Sequence, residues 1–147
     1  MPPGEETLVV VRIRDLDYGL PVAAVREVVR APAITAIPHV PRAVRGVASI
    51  RGEIVPIVDL GLRLGGGETS ADGRVVLVDS PSDDGAVGLL VAAVVGLTPV
   101  LPREGEAGEP AEDGPGAPFA RAVVRAEDGR PIRVLALAPL LDLGLEP

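Results

Sequence analysis

The side chains able to do chemistry are few and scattered. His39 is the single histidine. A hydrolytic triad would need it beside a nucleophile such as Ser49 and an acid such as Asp59, yet no nucleophile motif surrounds any of them. A turn residue between Pro38 and Pro41 is the stronger reading of His39, and closing a strand end through backbone hydrogen bonds is the stronger reading of Asp59. Metal binding needs several His, Cys or clustered carboxylates at ligand spacing. The chain has no cysteine. The acids Glu104, Glu106, Glu109, Glu112 and Asp113 lie in a run rich in Gly and Pro, which is more often a solvated spacer than a cation site. GGG at 65–67 lacks the lysine and the strand–loop–helix context of a phosphate loop. No catalytic residue, metal site or cofactor is expected. What is left is the polar knot Arg51-Gly52-Glu53 inside GVASIRGEIVPIVDL (46–60), for which a plain hairpin turn, a catalytic loop and a contact surface for another protein are the three readings.

The elements that position this knot follow from composition and pattern. The 147 residues suffice for one domain, or for two small barrels sharing a core. Chains of this size bury roughly 68–70% of their unfolded surface and need no disulfide staple. The net charge of -7 and the near-absence of aromatics, Tyr18 and Phe119 alone, argue against nucleic acid, which requires a basic face and stacking platforms. All 14 basic residues are arginine, a trait of codon usage rather than of function. The N-terminus MPPGEETLVV lacks the pattern of a signal peptide, and apolar runs such as VGLLVAAVVGL fall short of the roughly 20 residues that cross a bilayer. A cytoplasmic protein without membrane insertion is the expectation.

With 18 glycines and 16 prolines and valine dominating the apolar set, the chain reads as many short strands joined by turns. LVVVRIR (8–14) places Val9, Val11 and Ile13 inward and Arg12 and Arg14 outward. DLD (15–17) turns the chain and YGLPV (18–22) returns. VAAVREVVR (22–30) reads as a helical turn followed by a strand. AVRGVASI (43–50) and EIVPIVDL (53–60) form a hairpin, with Pro56 expected at a sheet edge or a bulge because it lacks a ladder donor. GLRLGGG (61–67) is a turn of helix and a seam between halves. RVVLVD (74–79), AVGLLVAAVV (86–95), FARAVVRA (119–126) and PIRVLALA (131–138) follow as strands. Residues 103–118 form a mobile acidic loop, and PLLDLGL (139–145) a terminal helix. The fold class is all-β, a barrel or sandwich.

The quoted stretch resembles the CheW-like coupling domains of bacterial chemosensory systems, over about residues 7 to 143. Tyr18-Gly19-Leu20-Pro21 with Val25, Glu27 and Val28 is similar to the family's aromatic and V-x-E segment. Ile37-Pro38 and Arg45-Gly46-Val47 match its approach. Ile50-Arg51-Gly52 with Ile54-Val55-Pro56-Ile57-Val58-Asp59-Leu60 matches its L-R-G-x-[IV]-[IV]-P-[IV]-[IV]-D-L signature. Gly88-Leu89-Leu90-Val91 and the Asp128-Gly129 hairpin keep the order.

The resemblance implies two intertwined SH3-like five-stranded β-barrels with short helical turns and a C-terminal helix. The single domain, 1–147, is expected to divide into a first barrel mainly from about 7–65 and a second mainly from about 72–143. The resemblance also implies a non-enzymatic adaptor, recruited to receptor arrays, that joins the regulatory domain of a CheA-type histidine kinase to the cytoplasmic tip of a methyl-accepting receptor. Carried over residue by residue, Arg51 and Glu27 are the central positions, with Val25 and Val28 as apolar contacts and Gly52 and Glu53 beside them. Gly46, Pro56, Asp59 and Tyr18 are structural. Arg51, planar and always charged, is expected to pair with Glu27, and Gly52 to supply the turn conformation.

Departures from the family pattern are Ser49 in place of Asn, Val91-Ala92-Ala93-Val94 in place of V-D-x-V, Val123-Val124 without the preceding glycine, and Val134-Leu135-Ala136-Leu137 in place of L-L-D-L. They raise a second reading, a variant that engages one partner in a non-flagellar motility or cluster-organising pathway. A kinase regulatory domain cut from a longer chain is a third reading, against which the short termini speak. A small hydrolase, which would need a pocket with converging polar groups, is the rival from another class.

Overall fold

The computed structural model describes residues 6–70, 72–80, 85–100 and 117–143. The acidic segment expected to be mobile lies outside the described residues except for its last positions, which enter a 3-10 turn at Ala117–Phe119.

Among the described residues ten strands and two short helices follow one another: β1 (Glu6–Ile13), β2 (Leu16–Pro21), a 3-10 turn (Val22–Ala24), β3 (Val25–Arg30), β4 (Val44–Ile50), β5 (Glu53–Asp59), α1 (Leu60–Arg63), β6 (Arg74–Asp79), β7 (Ala86–Val91), β8 (Ala93–Val100), β9 (Ala120–Arg125), β10 (Pro131–Leu135) and α2 (Leu137–Leu141). They form two five-stranded sheets, β8-β1-β2-β10-β9 and β3-β6-β7-β5-β4. The all-β class with short helical turns is therefore correct.

The division at about residue 65 is not how the strands partition. The first sheet takes β1 and β2 from the front of the chain and β8 to β10 from its end, and the second is an uninterrupted insertion between them. The physical reason is non-local pairing: β8 runs antiparallel to β1 from Glu6↔Val100 to Arg12↔Ala93, and β10 runs parallel to β2. The glycines at 65–67 thus lie within the second unit, not at a seam. The chain returns to the first sheet at Ala92, which breaks the run expected as one strand over 86–95 into β7 and β8.

The central strands β1, β2, β6 and β7 bury both faces, which gives them continuous apolar runs rather than clean alternation, whereas β3 and β4 alternate. Val9, Val11, Ile13, Tyr18 and Leu20 of the first sheet meet Val58, Val76, Val78, Leu89 and Val91 of the second in one shared core. The opposite faces close smaller cores of their own. One is built from Ala48, Ile50, Val55, Ile57, Val75, Leu77 and Leu90, and the other from Leu8, Val10, Ile132 and Val134. Val9, Val11 and Ile13 do point inward, but Leu8 and Val10 are buried as well, on the other side. Burial raises the pKa of the Tyr18 phenol, against a smaller opposing effect of Arg133.

Two local readings change. Pro56 sits on β5, which is interior to its sheet rather than at an edge. It pairs in register with Val47 of β4, and the ladder to β7 begins one residue on, at Ile57, so no β7 pairing is lost at the proline. The first hairpin turns at Arg14–Asp15, not over 15–17, so Asp17 belongs to β2 and faces Arg12 in register.

Asp17 is buried and held by two arginines from different hairpins: Arg12 Nε donates to it at 2.7 Å and Arg130 Nε at 3.1 Å. Burial by itself would raise this carboxyl, but the hydrogen bonds from Arg12 and Arg130, reinforced by their charges, hold it below its ordinary value of 3.8. A folded-state value lower than the unfolded one contributes stability that is complete above the unfolded value and lost as pH falls through the folded one. The stability gap between the wild type and Asp17→Asn, from urea unfolding, is expected to be full near about pH 6 and to close as pH drops toward about 3 and below. A gap that stays constant over that range would contradict the cluster.

At the far end, Arg63 of α1 closes the C-terminal helix. Its Nε donates to the Leu140 carbonyl at 2.8 Å and its Nη2 to Pro139 and Asp142 at 3.0 and 2.9 Å. The guanidinium also lies 4.5 Å from the centroid of the Phe119 ring. A cation on the last carbonyls is the favourable arrangement for a helix C-terminus.

Candidate protein-docking surface

Arg51 and Gly52 form the two-residue turn between β4 and β5, with φ of 50° and 81°. Positive φ at both positions is the hairpin geometry whose twist matches the flanking strands, and it favours glycine or asparagine. Gly52 satisfies it without strain. Arg51 does not, since its Cβ meets the backbone in this region. The side chain so placed reaches Glu27 on β3, its Nε lying 2.9 and 2.8 Å from the two carboxylate oxygens.

This contact crosses the whole second sheet, because β3 and β4 are its opposite edges. The sheet is therefore rolled. The same closure appears on the backbone, where Thr35, past the end of β3, exchanges hydrogen bonds of 2.8 and 2.9 Å with Val47 of β4. Arg51 is 74% exposed and Glu27 29%. A pair this wet contributes little to stability. The hydrogen bond from Arg51 holds the Glu27 carboxyl below its usual range, so the pair stays charged at neutral pH and is presented outward.

Its surroundings suit a polypeptide partner. Glu53 and Ile54 continue the hairpin, and Ile54 is 70% exposed. Both line a shallow cleft of about 440 Å³ with Pro56, Ser80, Gly85, Ala86 and Val87. Across its margin Arg26 donates to Asp79. A β-bulge between Val25 and Glu27 puts Val25 and Val28 opposite Val78 and Val76, on the face of the shared core, while Glu27 opposes Leu77 on the other face. Val28 is 40% exposed, whereas Val25 is half-buried against the shared core. Arg51, Gly52, Glu53 and Glu27 thus meet at one end of the second sheet, with Val28 next along β3.

The structural residues lie inside. Asp59 is fully buried and caps α1 by accepting from the Leu62 N–H at 3.1 Å. It also accepts from the Thr69 N–H and hydroxyl at 2.9 and 2.6 Å and pairs with Arg45 at 3.0 Å. Those bonds leave no room for a catalytic base, and His39 and Ser49 are both exposed, away from it in the hydrogen-bond pattern. Gly46 has φ of 139°, and a Cβ there would stand 2.0 Å from the Thr35 carbonyl oxygen. Sequence reasoning missed Ile54, and also Val95 and Leu97 exposed on β8. Ile54 carries a readable signal, an apolar residue immediately beyond a turn on a strand whose next inward position is Val55.

The sequence profile of the CheW-like domain matches residues 7–144. The chain belongs to the CheW-like family. Among individual relatives, the probable chemotaxis protein CheW of Rhizobium etli is 36% identical over 91 residues, 62% of this chain and 59% of that protein. The chemotaxis protein CheW of Rhizobium meliloti is 35% identical over 101 residues, 69% of this chain and 65% of its own length. The chain thus spans about three-fifths of the length of these CheW relatives. Protein FrzA of Myxococcus xanthus is 35% identical over 86 residues, 58% of this chain and 54% of that protein. The crystal structure of the scaffolding protein TtCheW from Thermoanaerobacter tengcongensis superposes with a TM-score of 0.82 at 28% identity, covering 99% of this chain and 97% of that one. In this CheW-like chain the family signature residues 50–60 are the β4–β5 hairpin that carries Arg51. No helix among the described residues is long and apolar enough to cross a membrane.

Proposed function

We propose that this CheW-like chain is a non-enzymatic coupling adaptor that joins the regulatory domain of a CheA-type histidine kinase to the cytoplasmic tip of a methyl-accepting receptor in chemotaxis signalling. It acts in the cytoplasm, recruited to receptor arrays. The observation that carries the reading is the Arg51–Glu27 pair, set on the rolled end of the second sheet, with exposed Ile54 on the same hairpin and exposed Val28 on the other face of β3. An outward ion pair bordered by apolar side chains orients a docking protein without performing a reaction on it. The family membership and the likeness to a scaffolding protein support the same class of function.

The test is separate binding of the kinase regulatory domain and a receptor cytoplasmic fragment to the wild type, Glu27→Ala, Arg51→Ala and the double variant. Each single change is expected to weaken one complex by about tenfold, with the double change no worse than either, because the pair acts as a unit. Melting temperatures should stay near the wild type, as the pair is wet. Strictly additive losses would count against the pair, and wild-type binding to neither partner would end the coupling reading. A variant engaging one partner in a non-flagellar pathway is the second reading. The alanines at 92 and 136, where the family pattern has acids, and the similarity to FrzA, favour it. Binding to one partner alone would establish it.

A further inference from the structure

The second sheet ends at β3, and this edge carries an electrostatic conflict. Arg30 on β3 stands directly opposite Arg74 on β6 in antiparallel register, and both residues are exposed. Like charges facing each other across a ladder destabilise a sheet. Arg26, on the same strand, shows the ordinary remedy, since its Nε donates to the Asp79 carboxylate. Among the described residues no carboxylate pairs with Arg30 or Arg74, and Arg74 makes one hydrogen bond, from Nη1 to the Gly73 carbonyl at 3.3 Å. The ladder also continues one residue on, through Ala31 N–H to Gly73 O at 3.3 Å.

Val28 lies on the same face, two residues before Arg30, and is 40% exposed. Among the described residues β3 pairs in a ladder with β6 alone, while its other side is turned toward β4 through Arg51–Glu27 and Thr35–Val47; what stands exposed is the side-chain face that carries Val28 and Arg30. In a chain of net charge -7, two uncompensated guanidinium groups beside an exposed valine are a local reversal of sign. A local conflict that the fold retains is where a partner's contribution belongs.

We propose that the exposed face of β3 and β6 around Arg30 and Arg74 is a docking strip for an acidic segment of a partner protein, with a carboxylate seated between Arg30 and Arg74 and an apolar side chain over Val28. The proposal rests on the coupling-adaptor reading and adds to it the chemistry of the partner's surface. A guanidinium binds a carboxylate through two parallel N–H donors, so two of them sharing one acid fix its position and relieve their mutual repulsion. Such a contact also steers association and weakens as salt rises.

The experiment measures binding of the kinase regulatory domain and of the receptor cytoplasmic fragment, separately and at low and high salt, to the wild type, Arg30→Glu, Arg74→Glu and the milder Arg30→Gln. Arg30→Glu turns the cross-strand repulsion into an attraction, so its melting temperature should equal or exceed that of the wild type. Its affinity for one partner should nevertheless fall by about tenfold or more, with a shallower salt dependence. Arg74→Glu should repeat the loss and Arg30→Gln should show part of it. Binding of both partners within about twofold of the wild type by all three variants would overturn the proposal while leaving the adaptor reading intact. A wild type that binds neither partner would overturn both.

Discussion

Replacing Asp59 with alanine is expected to lower the unfolding free energy by about 3–5 kcal/mol, the scale for breaking a buried ion pair from one side. The carboxylate is fully buried and satisfies four groups at once: the guanidinium of Arg45, the N–H and hydroxyl of Thr69 and the N–H of Leu62. Alanine takes from the half-buried Arg45 its buried partner, leaving it Glu68 and the Thr69 carbonyl, and it uncaps α1 and frees the segment that leads through Thr69 to β6. With native domains stable by about 5–15 kcal/mol, such a loss removes a large share of the total. The melting temperature should fall by about 10 °C. Asp59→Asn keeps size and acceptor but not charge, so it should fall between the two. A loss below about 1 kcal/mol for alanine would mean that water reaches the site in solution.

Gly46→Ala is expected to cost about 3 kcal/mol or more, from steric overlap and backbone strain together. The new Cβ would lie 2.0 Å from the Thr35 oxygen, 2.7 Å from its carbonyl carbon and 2.9 Å from the Ala36 Cα, all backbone atoms that no rotamer can move. Its φ of 139° is also outside what a side-chain-bearing residue adopts readily. Relief would come by parting Thr35 from Val47, so their amides should lose hydrogen-exchange protection and the rolled second sheet should open there. Gly52→Ala is the control, because its Cβ would meet nothing within 4 Å. It should cost only the left-handed backbone penalty of about 1–2 kcal/mol. Equal losses at the two glycines would remove the steric account of Gly46.

Both residues sit inside the stretch that resembles the family, and neither chemical role was legible from the residues alone. Asp59 was readable as a strand-end acid, since an acid between a β-branched run and a short helical run is a common cap. Its partners Arg45 and Thr69 lie 14 and 10 positions away, beyond any local pattern. The Arg51–Glu27 pairing came from the resemblance and not from spacing. A separation of 24 residues across a connection that carries Pro32, Pro38 and Pro41 has no periodicity.

What the amino-acid order determines here is local: turn chemistry at Arg51-Gly52 and Asp128-Gly129, with Pro21 at the end of β2, sets where strands stop, and β-branched runs set that they are strands. Two-fold alternation assigned Val9, Val11 and Ile13 to one face correctly, because neighbouring residues in a strand must point to opposite sides. Which strands share a sheet was decided only in three dimensions. β1, β2, β6 and β7 are buried on both faces, so no polar face marks an outside on them, and β7 and β8 look continuous until Ala92. Their separation rests on pairing between β8 and β1 across more than eighty residues, and on the shared core that only both sheets together can close.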